Sequence, residues 1–104
     1  MTSNIQHVGT LERFAAKAIR LGAELLEVEY KDGYEEVFAA TGALGSEIGR
    51  LRSSGKAAAA LRQELHQCTR RKLRIVVDGH TYELRGRSYD SFGEEAYQVQ
   101  LRRV

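Results

Sequence analysis

The stretch Leu73-Arg74-Ile75-Val76-Val77-Asp78-Gly79-His80-Thr81-Tyr82-Glu83-Leu84 decides the fold. Leu73, Ile75 and Val77 alternate with Arg74 and Val76, and Asp78-Gly79 is the dipeptide that a two-residue hairpin loop favours. A turn of that length sets Ile75 opposite Tyr82, Leu73 opposite Leu84 and Arg74 opposite Glu83. Apolar then meets apolar on one face and opposite charges meet on the other, so pattern, turn chemistry and cross-strand pairing agree.

Outward from this hairpin, Asp90-Ser91-Phe92-Gly93 is a second turn. It leads to a last strand in which Tyr97, Val99 and Leu101 alternate with Gln98, Gln100 and Arg102. That strand reads as a sheet edge open to a second copy of the chain, though Arg102 and Arg103 discourage such pairing. Upstream, Lys56 to about Arg70 predicts a helix with Ala58, Leu61, Leu65 and Cys68 as its buried stripe. Near the amino terminus, Leu11, Phe14, Ala15, Ala18 and Leu21 fall at helical spacing, with Thr10 as expected cap and Gly22 as stop. Between the helices, Leu26, Val28 and Tyr30 alternate with glutamates, Lys31-Asp32-Gly33 turns the chain, and Tyr34 to Ala40 returns. A two-residue Asp-Gly turn places Val28 opposite Val37 and Glu29 opposite Glu36, a like-charge pair, whereas a three-residue loop would shift that register. Residues 41–55 read as a short helix capped by Ser46, as a third strand or as an irregular loop.

These elements predict an α+β domain: helix, β-hairpin, helix and three-stranded meander, with an antiparallel sheet covered by the helices on one face. At 104 residues the chain fits one domain over residues 10–104, with residues 1–9 expected to be a flexible amino terminus. It contains no proline, so glycine does the punctuation. A single cysteine, no signal-like segment and no long apolar run read as a cytoplasmic protein with no membrane insertion.

The net charge of +2 is small, but residues 1–48 hold four basic and eight acidic side chains against twelve and six in residues 49–104. Arg70, Arg71 and Lys72 follow one another at a helix end, and Arg85 and Arg87 lie on the polar face of a neighbouring strand. These five are the candidate partner-binding residues, for an acidic protein or, alternatively, for RNA or DNA. Tyr82 and Tyr97 point to the expected core, which leaves no obvious ring on which bases would stack.

Catalytic chemistry finds little support. Gly49-Arg50-Leu51-Arg52-Ser53-Ser54-Gly55-Lys56-Ala57 resembles a phosphate loop but has five residues between its glycines, and Ala57 offers no hydroxyl to magnesium. Thr41-Gly42-Ala43-Leu44-Gly45 reads as a bend at positive φ before it reads as an anion cradle. His66 and Cys68, two apart on a helix, point in different directions, and no further pair completes a metal site. The expectation is a non-catalytic protein-interaction or regulatory domain without cofactor or metal, acting on a protein partner or as a homo-oligomer. A weaker reading is a sensor holding an apolar molecule between helix and sheet near Leu61, Leu65 and Tyr97.

Ala18-Ile19-Arg20-Leu21-Gly22-Ala23, followed by Leu26, Val28 and Glu29, resembles the helix-to-strand entry of a known family. Val77-Asp78-Gly79, Leu84-Arg85, Gly93-Glu94, Val99 and Leu101-Arg102 are similar to the closing hairpin and strand of the same domain. The family is the PAS-like amino-terminal domain of the type II secretion and type IV pilus ATPases. The resemblance implies an α+β protein-interaction or regulatory module. Where the family carries Ser-Asp and a histidine after the helix, this chain has Glu24, Leu25 and Glu27, and Ala39-Ala40-Thr41-Gly42 replaces its second-strand arginine and Asp-Gly turn.

Overall fold

The computed structural model describes residues 9–104, so the flexible segment expected at 1–9 lies almost wholly outside the described residues. The chain runs α1 (Thr10–Arg20), β1 (Leu25–Lys31), β2 (Tyr34–Thr41), β3 (Leu44–Arg52), α2 (Lys56–Arg70), β4 (Leu73–Val77), β5 (His80–Ser91) and β6 (Glu94–Arg103). Six antiparallel strands form one sheet in the order β3-β2-β1-β6-β5-β4. A helix followed by a three-stranded meander thus occurs twice, and the two meanders join where β1 pairs with β6.

The closing hairpin has its expected register, and the first hairpin takes the two-residue alternative. Val28 pairs with Val37 and Glu29 with Glu36, while Leu73 pairs with Leu84, Arg74 with Glu83 and Ile75 with Tyr82. Their turns explain why. Asp32 and Gly33 take φ of 52° and 85°, and Asp78 and Gly79 take 51° and 81°. Two successive positive φ values define the type I′ loop whose twist matches the strands it joins.

Two expectations need correction, and one open reading is resolved. The last strand is not an edge: β6 lies between β1 and β5 and is paired on both sides. Residues 44–52, read as helix, strand or loop, are a third strand, with Gly42 at φ 60° turning the chain before it. Its apolar alternation is hidden because Gly49 occupies a helix-facing position, where a Cβ would overlap the Phe14 ring of α1. Glycine in a strand marks such close approaches. Finally, Thr10 does not cap α1. It is the first helical residue and buried, Gly9 is the cap, and the Leu11 N–H donates instead to Glu64 Oε1 of α2 at 2.9 Å.

Both helices pack on one face, and the sheet curls around them. Phe14 covers Gly49 of β3, Lys17 Nζ donates to the Ile48 carbonyl at 2.9 Å, and Arg20 pairs with Asp78 of the β4–β5 turn at 3.1 Å. One helix therefore touches elements at both ends of the strand order. Leu61, Leu65 and Leu84 are fully buried between α2 and the sheet, and Ile75, Val77, Val99 and Leu101 face the same core. These are the residues that two-residue and helical spacing assigned to the interior.

One charged side chain is buried with them. Glu35 of β2, 6% exposed, accepts from Ser53 Oγ at 2.9 Å and from Arg62 Nη1 of α2 at 3.2 Å. Nearby, Tyr97 donates to Glu95 Oε1 at 3.1 Å. Burial, then the Glu95 and Glu35 carboxylates, push its phenol from the ordinary 10 up to about 12. A phenol harder to ionise when folded stabilises the fold fully below the unfolded value and loses that contribution as pH rises through the folded one. Alkaline unfolding is therefore expected between pH 10 and about 12, and Tyr97→Phe should flatten it; equal alkaline midpoints for both proteins in a circular dichroism titration would refute the assignment.

Candidate partner-binding surface

The candidate basic residues begin where α2 ends. Arg70 sits in its last turn, where a cation suits the negative end of the helix dipole. Arg71 leaves the helix in an extended conformation (φ −153°, ψ 151°) while its N–H still donates to the Gln67 carbonyl. The chain then enters β4 at Leu73, which places Arg70, Arg71 and Lys72 on a corner between helix and sheet.

Two clefts meet at this corner. The larger, of about 920 Å³, lies between the start of α1, the last turns of α2 and the start of β4, with Leu11, Cys68 and Leu73 among its lining residues. Arg70, Arg71 and Lys72 stand at its edge, together with Glu12 and Glu64. The smaller, about 290 Å³, is lined by residues 68–72 and Arg85 of β5. The structure thus brings together Arg70, Arg71 and Lys72, with Arg85 bordering the smaller cleft. Arg85 and Arg87, two apart on β5, share the face away from the helices, where Arg87 donates to Gln98 Oε1 at 3.1 Å, and Gln98 in turn donates to Glu27.

Neutralisation is uneven. Glu83 lies 3.7 Å from Lys72 and 3.8 Å from Arg74, so the expected Arg74–Glu83 pairing is present and Lys72 shares its carboxylate. Among the described residues, no carboxylate comes within ion-pair distance of Arg70, Arg71 or Arg85. Arg103, at the other end of β6, meets His80 Nδ1 at 2.8 Å.

Cys68 joins the corner to the sheet. Its thiol donates to the Leu84 carbonyl at 3.5 Å, beside Gly86, whose missing side chain leaves room for the α2 backbone. Burial raises the thiol pKa, opposed by a hydrogen bond from the Gly86 backbone. Since thiolate is the reacting form, Cys68 should resist aromatic disulfide reagents in native buffer and react at once in denaturant; rapid native labelling would show that the corner opens. His66, on the same helix, is exposed and points away, and among the described residues no three His, Cys, Asp or Glu side chains are grouped to hold a metal.

Aromatic rings on the open face were missed from sequence. Tyr82 and Tyr97 do face the helices, but the alternation that turns Val37 inward turns Tyr34 and Phe38 outward, and Tyr89 lies on the same outer face of β5. The signal was present in the period of two. Arg50 and Arg52 already cover Tyr34, at 5.1 and 5.5 Å from its ring centre. Tyr89 donates to Glu29 at 3.4 Å, and burial, then Glu29 and Glu27, raise its pKa. Glu27, Glu29 and Glu36 give the centre of this face an acidic stripe that repels a polyanion.

The remaining sequence motifs have structural places. The loop-like stretch 49–57 is divided between β3 and the first turn of α2, with Ser53 turned inward to Glu35. The Thr41–Gly45 bend is the β2–β3 hairpin. Leu61 and Leu65 are packed in the core, and neither cleft reaches them or Tyr97. No described helix is long and apolar enough to cross a membrane. Fold and corner together define a curled-sheet α+β domain with a cleft edged by Arg70, Arg71 and Lys72 at one side and Glu12 and Glu64 at the other. No protein-family model matches the chain, and no curated protein matches it.

Proposed function

We propose that this domain is a non-catalytic interaction module that docks an acidic protein segment in the cleft at the end of α2. The observation that carries the reading is the corner itself. Arg70 and Arg71 stand without ion-pair partners among the described residues at the edge of a cleft with Leu11 and Leu73 in its lining. Cations around an apolar floor suit a segment that carries both carboxylates and an apolar anchor. A nucleic acid fits less well, because among the described residues no aromatic ring lines either cleft, and on the open face Tyr89 lies against Glu29 while Tyr34 is already covered by Arg50 and Arg52. The resemblance to the secretion and pilus ATPase amino-terminal domain agrees with a docking role. The buried, unpaired thiol of Cys68 agrees with a reducing, cytoplasmic setting.

The test is fluorescence anisotropy with two labelled probes of equal charge, an acidic peptide containing phenylalanine and a single-stranded oligonucleotide. The peptide should bind, more weakly as salt rises, and Arg70→Glu/Arg71→Glu should abolish binding. Tighter binding of the oligonucleotide, with a steep salt dependence, would instead establish the nucleic-acid reading. Binding of neither probe would remove the assignment of the corner.

A further inference from the structure

We infer that the acidic segment is the β5–β6 hairpin tip, Asp90–Glu95, of a second copy of this chain, with Phe92 as its anchor. This rests on the docking role proposed for the α2 corner and names the partner of that same cleft.

The tip is built against the ordinary rules of a hairpin. Phe92 takes φ 52° at the first central position of a type I′ turn, the position held by aspartate in the two Asp-Gly hairpins. That conformation disfavours a residue with a bulky side chain, and Asn, Asp or Gly is the usual occupant. The ring is also fully exposed, at 103% of its reference area, so it contributes nothing to the core and does not reach its own molecule's cleft. Such a residue is unfavourable to the free monomer on both counts. A large aromatic in this position is what an interface anchor requires.

The hairpin delivers the ring away from the domain. β1 pairs with β6 only between Tyr97 and Gln100, and β4 pairs with β5 only as far as Leu84. The last three pairs, Tyr89–Ala96, Asp90–Glu95 and Ser91–Glu94, therefore form a ribbon with no strand on either side. Its charge has one sign: Asp90, Glu94 and Glu95 surround Phe92, and residues 88–101 contain no lysine or arginine.

The cleft is its complement. Leu11 and Leu73 offer an apolar lining, Arg70, Arg71 and Lys72 offer cations, and a volume of about 920 Å³ admits a phenyl ring with its flanking turn. Glu12 and Glu64 also border the cleft, Glu64 accepting from the Leu11 N–H, so the cations that would meet the tip are confined to the Arg70–Lys72 edge. Tip and cleft are different surfaces, so the contact is heterologous. Each added copy leaves one tip and one cleft unfilled, and association continues until a ring closes or a chain grows.

Sedimentation velocity on the full chain tests this. The wild type should sediment faster as concentration rises, less so at high salt. Phe92→Asn removes the anchor yet suits the turn, so it should fold at least as well while self-association weakens at least about tenfold. Arg70→Glu/Arg71→Glu should have the same effect on association. An equimolar mixture of the two variants should form a one-to-one dimer and nothing larger, because one intact tip then meets one intact cleft. A wild type monomeric at all concentrations overturns the inference. So does association that survives either variant, including a tip-to-tip dimer indifferent to the cleft charges. If the wild type stays monomeric while the acidic peptide still binds through Arg70 and Arg71, the docking role stands and the second copy is excluded as its partner.

Discussion

Leu65→Ala should lower the unfolding free energy by about 3–4 kcal/mol, a large part of the roughly 5–15 kcal/mol that holds an ordinary domain together. Leu65 is fully buried on the α2 stripe with Ala58, Leu61 and Cys68. Truncation removes its transfer free energy and leaves a cavity that a curled sheet gripping two helices collapses into poorly. The measurement is urea denaturation, where the midpoint should fall with an unchanged slope. Leu73→Ala supplies the contrast. Leu73 is 39% exposed at the start of β4, and its truncation should cost about 1 kcal/mol or less. Equal losses at the two positions would mean that α2 is not the principal cover of the sheet.

Arg62→Ala should cost about 2–4 kcal/mol, because it leaves the carboxylate of Glu35 inside the protein without its cation. The Ser53 hydroxyl remains as a donor at 2.9 Å, and Arg62 is itself 42% exposed, which keeps the expected loss below that of a wholly buried pair. Glu35→Leu combined with Arg62→Met should recover most of the loss, since isosteric apolar groups replace the pair without stranding a charge. Arg74→Ala, which breaks an exposed pair with Glu83, should change stability by only about 0.5 kcal/mol. Thermal unfolding in which Arg62→Ala and Arg74→Ala are indistinguishable would show that Glu35 finds water when its partner leaves.

Much of this architecture was legible before any coordinates. The Asp78-Gly79 turn set a register that the alternation on either side supported, because a two-residue type I′ loop leaves the strands only one way to pair. At Lys31-Asp32-Gly33 the loop length, and with it the pairing, stayed open until the fold was seen. The α2 boundaries and its buried stripe followed from spacing and alanine content. The place of Arg85 was less legible: Arg70, Arg71 and Lys72 are neighbours in the chain, but Arg85 borders the smaller cleft only because β5 passes beneath the end of α2. The sequence marks Phe92 only as part of a turn, since nothing in a turn signal tells whether the ring at its tip folds back.

What the amino-acid order determined alone is therefore local: two helices, their inward stripes, and hairpins whose loops and alternating side chains leave little freedom. The tertiary structure decided the rest. It paired β1 with β6 across some seventy residues, made Gly49 a seat for Phe14, and replaced an expected threonine cap with Glu64 from another helix. Those choices depend on which buried surfaces and unpaired backbone groups meet once the sheet curls, and contacts between distant segments leave no periodic trace in the chain.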